Sequence, residues 1–126
     1  PQDAVFAEVG SNAERRGSVA DIRAVESIID IGPATASLWS DLVRNAPFVL
    51  WNGPMGLYEK GYIDGTDALA QALVAAGVPA VVGGGDTAAA LQKITFDPNK
   101  VFVSTGGGAM LEFLLVGTLP GIVALG

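Results

Sequence analysis

The chain has 126 residues, half of them hydrophobic, with 17 glycines and only 16% charged side chains. That length holds one small domain, and so low a charge content requires strands buried on both faces, as parallel sheets have. A net charge of −6 argues against nucleic acid and anionic membranes as partners, the lack of cysteine excludes a disulfide scaffold and thiol catalysis, and the lack of histidine excludes a His base, triad or metal site.

No run approaches about 18 uninterrupted apolar residues, so no transmembrane helix is predicted. A cysteine-free chain suits the cytosol. Pro1 stands where a complete chain would carry Met, so the chain is expected to be a piece of something longer.

In chain order, Asp3 to Val9 reads as a strand. Gly10 to Ile22 is polar and loop-like, and Arg15 and Arg16 are expected to be solvated. Ile28-Ile29-Asp30 is a short strand or an extended turn. Gly32-Pro33 then opens a helix, because proline at the first helical position lacks only an N–H that would be unpaired anyway. Its predicted apolar stripe is Leu38, Trp39, Leu42, Val43 and Ala46. Pro47 stops that helix. Phe48-Val49-Leu50-Trp51 reads as a central parallel strand.

A loop from Asn52 to Glu59 follows, with Asn52 and Glu59 as its polar groups. Taken alone, Glu59 is either solvated surface or a carboxylate for ribose hydroxyls. Thr66 to Ala76 is a helix with Ala68, Leu69, Ala72, Leu73 and Ala76 toward the sheet, ended by Gly77.

Two strand–glycine–helix units come next. Ala80-Val81-Val82 leads into Gly83-Gly84-Gly85 and then Asp86-Thr87. Val101-Phe102-Val103 leads through Ser104-Thr105 into Gly106-Gly107-Gly108. Glycines let peptide N–H groups face a ligand with no Cβ in the way, and a helix start attracts anions. Two such units within about 25 residues lie on one edge of a parallel sheet and suggest a polyphosphate or a phosphoryl group in transit.

Turn chemistry alone is the competing reading. Asp86 can cap its helix or hold Mg²⁺. Neither unit is a Walker A motif, and Lys60, Lys93 and Lys100 all lie outside the glycine loops. Leu111, Leu114 and Leu115 are expected to form the buried face of the last helix. Leu119-Pro120-Gly121 should break that helix, leaving Ile122 to Leu125 as an apolar tail. The strand–helix alternation gives an α/β fold with a Rossmann-like parallel sheet and helices on both faces.

The run Asp30-Ile31-Gly32-Pro33, the run Trp51 to Glu59, Gly65-Thr66, Gly83 to Thr87, Ser104 to Ala109 and Leu119-Pro120-Gly121 together closely resemble the C-terminal, nucleotide-binding part of phosphoglycerate kinases. The resemblance covers nearly the whole chain, 1–126. It implies the C-terminal half of that fold without the N-terminal substrate domain. It implies reversible phosphoryl transfer between 1,3-bisphosphoglycerate and ADP, giving 3-phosphoglycerate and ATP, in glycolysis and in the cytoplasm.

The same resemblance implies that Glu59 binds the ribose and that Asn52 and Pro54 line the nucleotide site. Gly84, Gly85, Asp86 and Thr87 would hold the phosphates of ATP or ADP, with Asp86 on Mg²⁺. Gly106, Gly107 and Gly108 would receive the moving phosphoryl group. Ile28 stands where many members have a glycine touching the adenine. Leu115-Val116-Gly117 replaces the usual Glu-Gly-Lys that joins the two domains.

With the substrate-side residues missing, the isolated chain is expected to be inactive and to self-associate. A stand-alone nucleotide- or phosphate-binding module without catalysis, or a scaffold that kept a half-fold for packing, are the other readings.

Overall fold

The computed structural model describes residues 1–11 and 13–126. The chain forms β1 (Asp3–Glu8), β2 (Glu14–Ser18), β3 (Glu26–Ile31), α1 (Pro33–Asn45), β4 (Val49–Asn52), α2 (Asp64–Ala76), β5 (Ala80–Gly83), α3 (Gly85–Ala90), β6 (Val101–Ser104), α4 (Gly107–Val116) and α5 (Pro120–Ala124). Strands β4, β5 and β6 make a parallel sheet with β5 in the middle. The α/β class and its parallel sheet are therefore as expected.

The core lies on one face of that sheet. Trp51, Ala80, Val82 and Val101 meet Leu69, Ala70 and Leu73 of α2. Each fully buried Leu or Val contributes roughly 1.5–3 kcal/mol. On the other face, Leu50, Val81 and Phe102 form one cross-strand row, and Phe102 is 65% exposed. Phe48 to Trp51 was expected as a central strand. It is parallel, but β4 is an edge strand, and Leu50 stays half exposed.

The N-terminal strands form a second sheet, β2-β1-β3, antiparallel throughout. Its outer strand β2 falls inside the stretch read as loop; Asn12 of that stretch lies outside the described residues. The strand exists because Arg15 takes the place of an apolar side chain. Its guanidinium lies 4.4 Å from the Phe6 ring centroid, and its Nε and Nη2 donate to Glu26 at 2.6 Å. Arg15 is thus a packed residue, while Arg16 is solvated and pairs loosely with Asp64 at 3.5 Å.

Helix α1 starts where Pro33 predicts, but its cap comes from a distant strand. Gly32 supplies no side chain, and Asp3 of β1 accepts from the amides of Ala34 at 3.0 Å and Thr35 at 2.7 Å. A carboxylate at this position contributes about 1 kcal/mol. The buried face of α1 is Thr35, Ala36 and Ser40, with Trp39 and Val43 packed beside the core. Leu38 and Leu42, expected inside, are exposed. Small side chains allow close approach to α2, and Ser40 Oγ reaches the Ala68 carbonyl at 3.5 Å.

Helix α2 ends at Gly77, in the left-handed conformation with φ 61°. Helix α4 buries only Gly107; Leu111, Leu114 and Leu115 are exposed, with Leu115 at 83%. They were expected to be buried, but among the described residues no element packs over that helix. The apolar tail after Leu119 takes the form of the short exposed helix α5.

Candidate functional site

Strands β4, β5 and β6 end in register at Asn52, Gly83 and Ser104. The loops after them therefore share one rim, which is where open parallel sheets place ligands. The Gly84 amide donates to the Ser104 carbonyl at 2.9 Å, which extends the ladder one residue past the strand. Gly84 then turns with φ 105°, a conformation that side chains rarely adopt.

The two glycine loops meet at Asn52. A Cβ on Gly107 would sit 2.6 Å from Asn52 Oδ1 and 2.7 Å from the Gly84 Cα, so only glycine lets the loops touch. Thr87 is fully buried and its hydroxyl accepts from the Gly53 amide at 2.8 Å, binding the loop after β4 to the start of α3. Gly85 and Gly106 are exposed on the rim, and Gly108 has open space where a Cβ would be. Among the candidates, the structure thus brings Asn52, Gly84, Thr87 and Gly107 into direct contact.

Pro54, Glu59 and Asp86 lie around an adjoining groove of about 310 Å³, whose floor includes Ile28, Ile29, Met55 and Leu57. Glu59 sits in the helical turn Tyr58–Lys60 and is exposed. Asp86 does not cap α3: that helix has no side-chain cap bond, and the Asp86 carboxylate instead accepts from the Tyr58 hydroxyl at 3.4 Å. The Tyr58 phenol is pushed up by burial, then by the charge of Asp86 and its hydrogen bond.

Two buried polar groups support the groove from below, and the sequence reading assigned neither a role there. Asp30 is 2% exposed. Its carboxylate accepts from the Ile31 amide at 2.8 Å and the Gly65 amide at 3.2 Å, and burial raises its pKa. The Thr66 hydroxyl accepts from the Met55 amide at 2.9 Å. Gly56 has no room for a Cβ against Asp30, 2.7 Å from Oδ1. The signal was present in Asp30-Ile31-Gly32-Pro33 and Gly65-Thr66, but their contact spans 35 positions.

No cluster of three or more Asp, Glu, His or Cys converges among the described residues. This donor set does not form an all-protein metal cage. A single exposed carboxylate, Asp86, beside two amide-rich loops does fit Mg²⁺, which commonly uses one or two carboxylates together with substrate phosphates. Lys100 lies at the opposite end of β6, beside Gly77. No helix is long and apolar enough to cross a membrane among the described residues.

The sequence model of the phosphoglycerate kinase family matches residues 1–116. The phosphoglycerate kinase of Clostridium novyi (strain NT) is 50% identical over 98 residues, which cover 77% of this chain and 25% of that protein. That of Clostridium botulinum (strain 657 / Type Ba4) is 48% identical over the same length. The chain thus spans about a quarter of the length of these curated relatives.

Among solved structures, phosphoglycerate kinase from Coxiella burnetii superposes with a TM-score of 0.77 at 37% identity, over 90% of this chain and 30% of the other. The enzyme from Pyrococcus horikoshii OT3 gives 0.77 at 26% identity, over 98% and 31%. The family match, the relatives and the superpositions agree with one another, and the chain belongs to the phosphoglycerate kinase family.

Proposed function

We propose that this chain, residues 1–126, is the C-terminal, nucleotide-binding part of a phosphoglycerate kinase. In the whole protein it would serve reversible phosphoryl transfer between 1,3-bisphosphoglycerate and ADP, a glycolytic reaction of the cytoplasm. The observation that carries this reading is the in-register ending of β4, β5 and β6. It sets the Asn52 loop, the Gly84 turn and the Gly107 helix start side by side.

On this reading the Glu59 carboxylate accepts hydrogen bonds from the ribose hydroxyls, and Pro54 and Asn52 bound the nucleotide. Amides of Gly85 and Thr87 bind its phosphates, and Gly84, whose own amide is taken by the Ser104 carbonyl, supplies the positive-φ turn that presents them. Asp86 would hold Mg²⁺, which when bound would supply positive charge to offset that of the phosphates. Gly107 and Gly108 present amides of the α4 N-terminus to the phosphoryl group, and the Gly106 amide, which donates to Ser104 Oγ at 3.2 Å, joins them on leaving that exposed hydroxyl. Fixed amides stabilise developing charge because they need no reorientation as it forms.

Phosphoryl transfer also needs cations at the moving group and a positioned acceptor. The three lysines lie outside the glycine loops, so the isolated chain binds ADP or ATP weakly and is inactive alone. 3-Phosphoglycerate would be bound by an N-terminal domain outside this chain. A stand-alone nucleotide-binding module remains the second reading, because the same rim would serve it unchanged.

The test is calorimetric titration of the chain with ADP, with and without Mg²⁺, followed by a coupled kinase assay. Mg²⁺-enhanced ADP binding without turnover is the expected result. The absence of ADP binding at millimolar concentration overturns the site, and 3-phosphoglycerate-dependent ATP turnover by the isolated chain overturns the claim of inactivity.

A further inference from the structure

We infer that Tyr58 is a positioning residue for Asp86, aiming the carboxylate at which Mg²⁺ would bind with the nucleotide; this rests on the nucleotide-site reading above. The Tyr58 hydroxyl donates to Asp86 Oδ1 at 3.4 Å across a separation of 28 positions. Among the described residues, Asp86 has no other side-chain hydrogen bond and no ion pair. An exposed aspartate without a partner samples several rotamers, and each wrong one must be abandoned before metal can bind.

Tyr58 is well placed to restrict that sampling, because its own turn is fixed from both sides. The Leu57 amide donates to the Ile29 carbonyl at 2.9 Å, the Lys60 amide to Leu57 at 2.9 Å, and the Gly61 amide to Tyr58 at 2.9 Å. The left-handed Gly61, φ 89°, closes the turn. The hydroxyl occupies one carboxylate oxygen and leaves Oδ2 free. Donors of this outer kind orient metal ligands and tune their affinity. The neighbouring Glu59 shares the turn, so the candidate ribose contact and the candidate metal carboxylate are joined through one residue.

The experiment titrates the full 126-residue chain with ADP by calorimetry over a Mg²⁺ series, for wild type, Tyr58→Phe, Asp86→Asn and the double variant. Tyr58→Phe removes a single oxygen and keeps the ring packed, so folding is retained. It should bind Mg²⁺-free ADP as the wild type does and need roughly tenfold more Mg²⁺ for half-maximal enhancement, the low end for outer-shell partners. In the Asp86→Asn background it should change nothing, since a residue acting only through Asp86 has no effect once the carboxylate is gone.

Tyr62→Phe serves as a control. It loses its hydrogen bond to Glu14, away from Asp86, and should leave the Mg²⁺ requirement as it is. An unchanged Mg²⁺ requirement in Tyr58→Phe, or an equal shift in both backgrounds, overturns the inference and leaves the nucleotide site standing. A wild-type chain that fails to bind ADP at all overturns both.

Discussion

At the scale of residues, charge placement divides between folding and the site. Arg15 hydrogen bonds hold the Glu26 carboxyl at about 2, against an ordinary 4.5, with burial pulling the other way and the Arg23 amide and nearby charges adding to the depression. A depressed folded pKa contributes stability that is complete above the ordinary value and is lost as the pH falls toward the folded one. Glu26→Gln should therefore lower the melting temperature at neutral pH, and its difference from wild type should shrink as the pH drops from 4.5 toward about 2. A difference independent of pH would show that the pair acts through packing on Phe6 alone. Asp30 has the opposite sign: burial raises its pKa, so charging it opposes folding and acid relieves that cost.

At the rim, Asp86 and Glu59 are separable. Asp86→Asn should reduce ADP affinity about tenfold in Mg²⁺ and little without it, the effect expected of one charged ligand group. Glu59→Gln should weaken ADP roughly tenfold or more under both conditions, since a hydrogen bond to a charged group is worth about 1.5–3 kcal/mol. Titrations showing the Mg²⁺-dependent loss in Glu59→Gln and the uniform loss in Asp86→Asn would reverse the two assignments.

At the scale of elements, the decisive feature is how closely β5–α3 and β6–α4 approach. Gly107 is buried against Asn52 and the Gly84 backbone, where an added methyl has no space. Gly107→Ala should cost about 1–3 kcal/mol, because backbone cannot move aside as a flexible side chain can. It should also part the two glycine loops and weaken ADP binding. Gly108→Ala, which meets open space, should change stability by no more than about 0.5 kcal/mol. Denaturant melts of the two variants check the contrast, and equal losses would show that α4 tolerates a shift at its start. The turn Tyr58–Lys60, the Asp30 carboxylate beneath Gly65 and the Thr66 hydroxyl beneath Met55 hold the neighbouring groove by the same kind of close fit.

At the scale of the whole molecule, one face of the sheet is covered by the core, while on the other α4 reaches only the Gly83 end, through Met110, and leaves the rest exposed. The row Leu50, Val81 and Phe102 runs from one edge strand to the other, and α4 adds exposed Leu111, Phe113, Leu114 and Leu115. Edge strands and apolar surface of this kind invite pairing with another chain. We predict that the isolated chain associates with copies of itself. Phe102→Lys, which places charge on the open row without touching the core, should shift it toward monomer in light scattering. A wild type that is strictly monomeric at all accessible concentrations would overturn this.

The features legible from sequence alone are those whose cause lies within a few residues. Pro33 starts a helix and Gly77 ends one because backbone dihedrals impose this locally. Strand, glycine turn and helix recur at Gly83 and Gly106 because each unit carries its own turn chemistry. The tertiary structure decided everything whose partner is remote. It brought Asp3 to cap α1 from 31 and 32 positions away, turned the polar Glu14–Ser18 stretch into a strand by pairing Arg15 with Glu26, and set Asp30 beneath Gly65. It also left α4 exposed, because hydrophobic periodicity identifies a face fit for burial but cannot supply the surface that covers it.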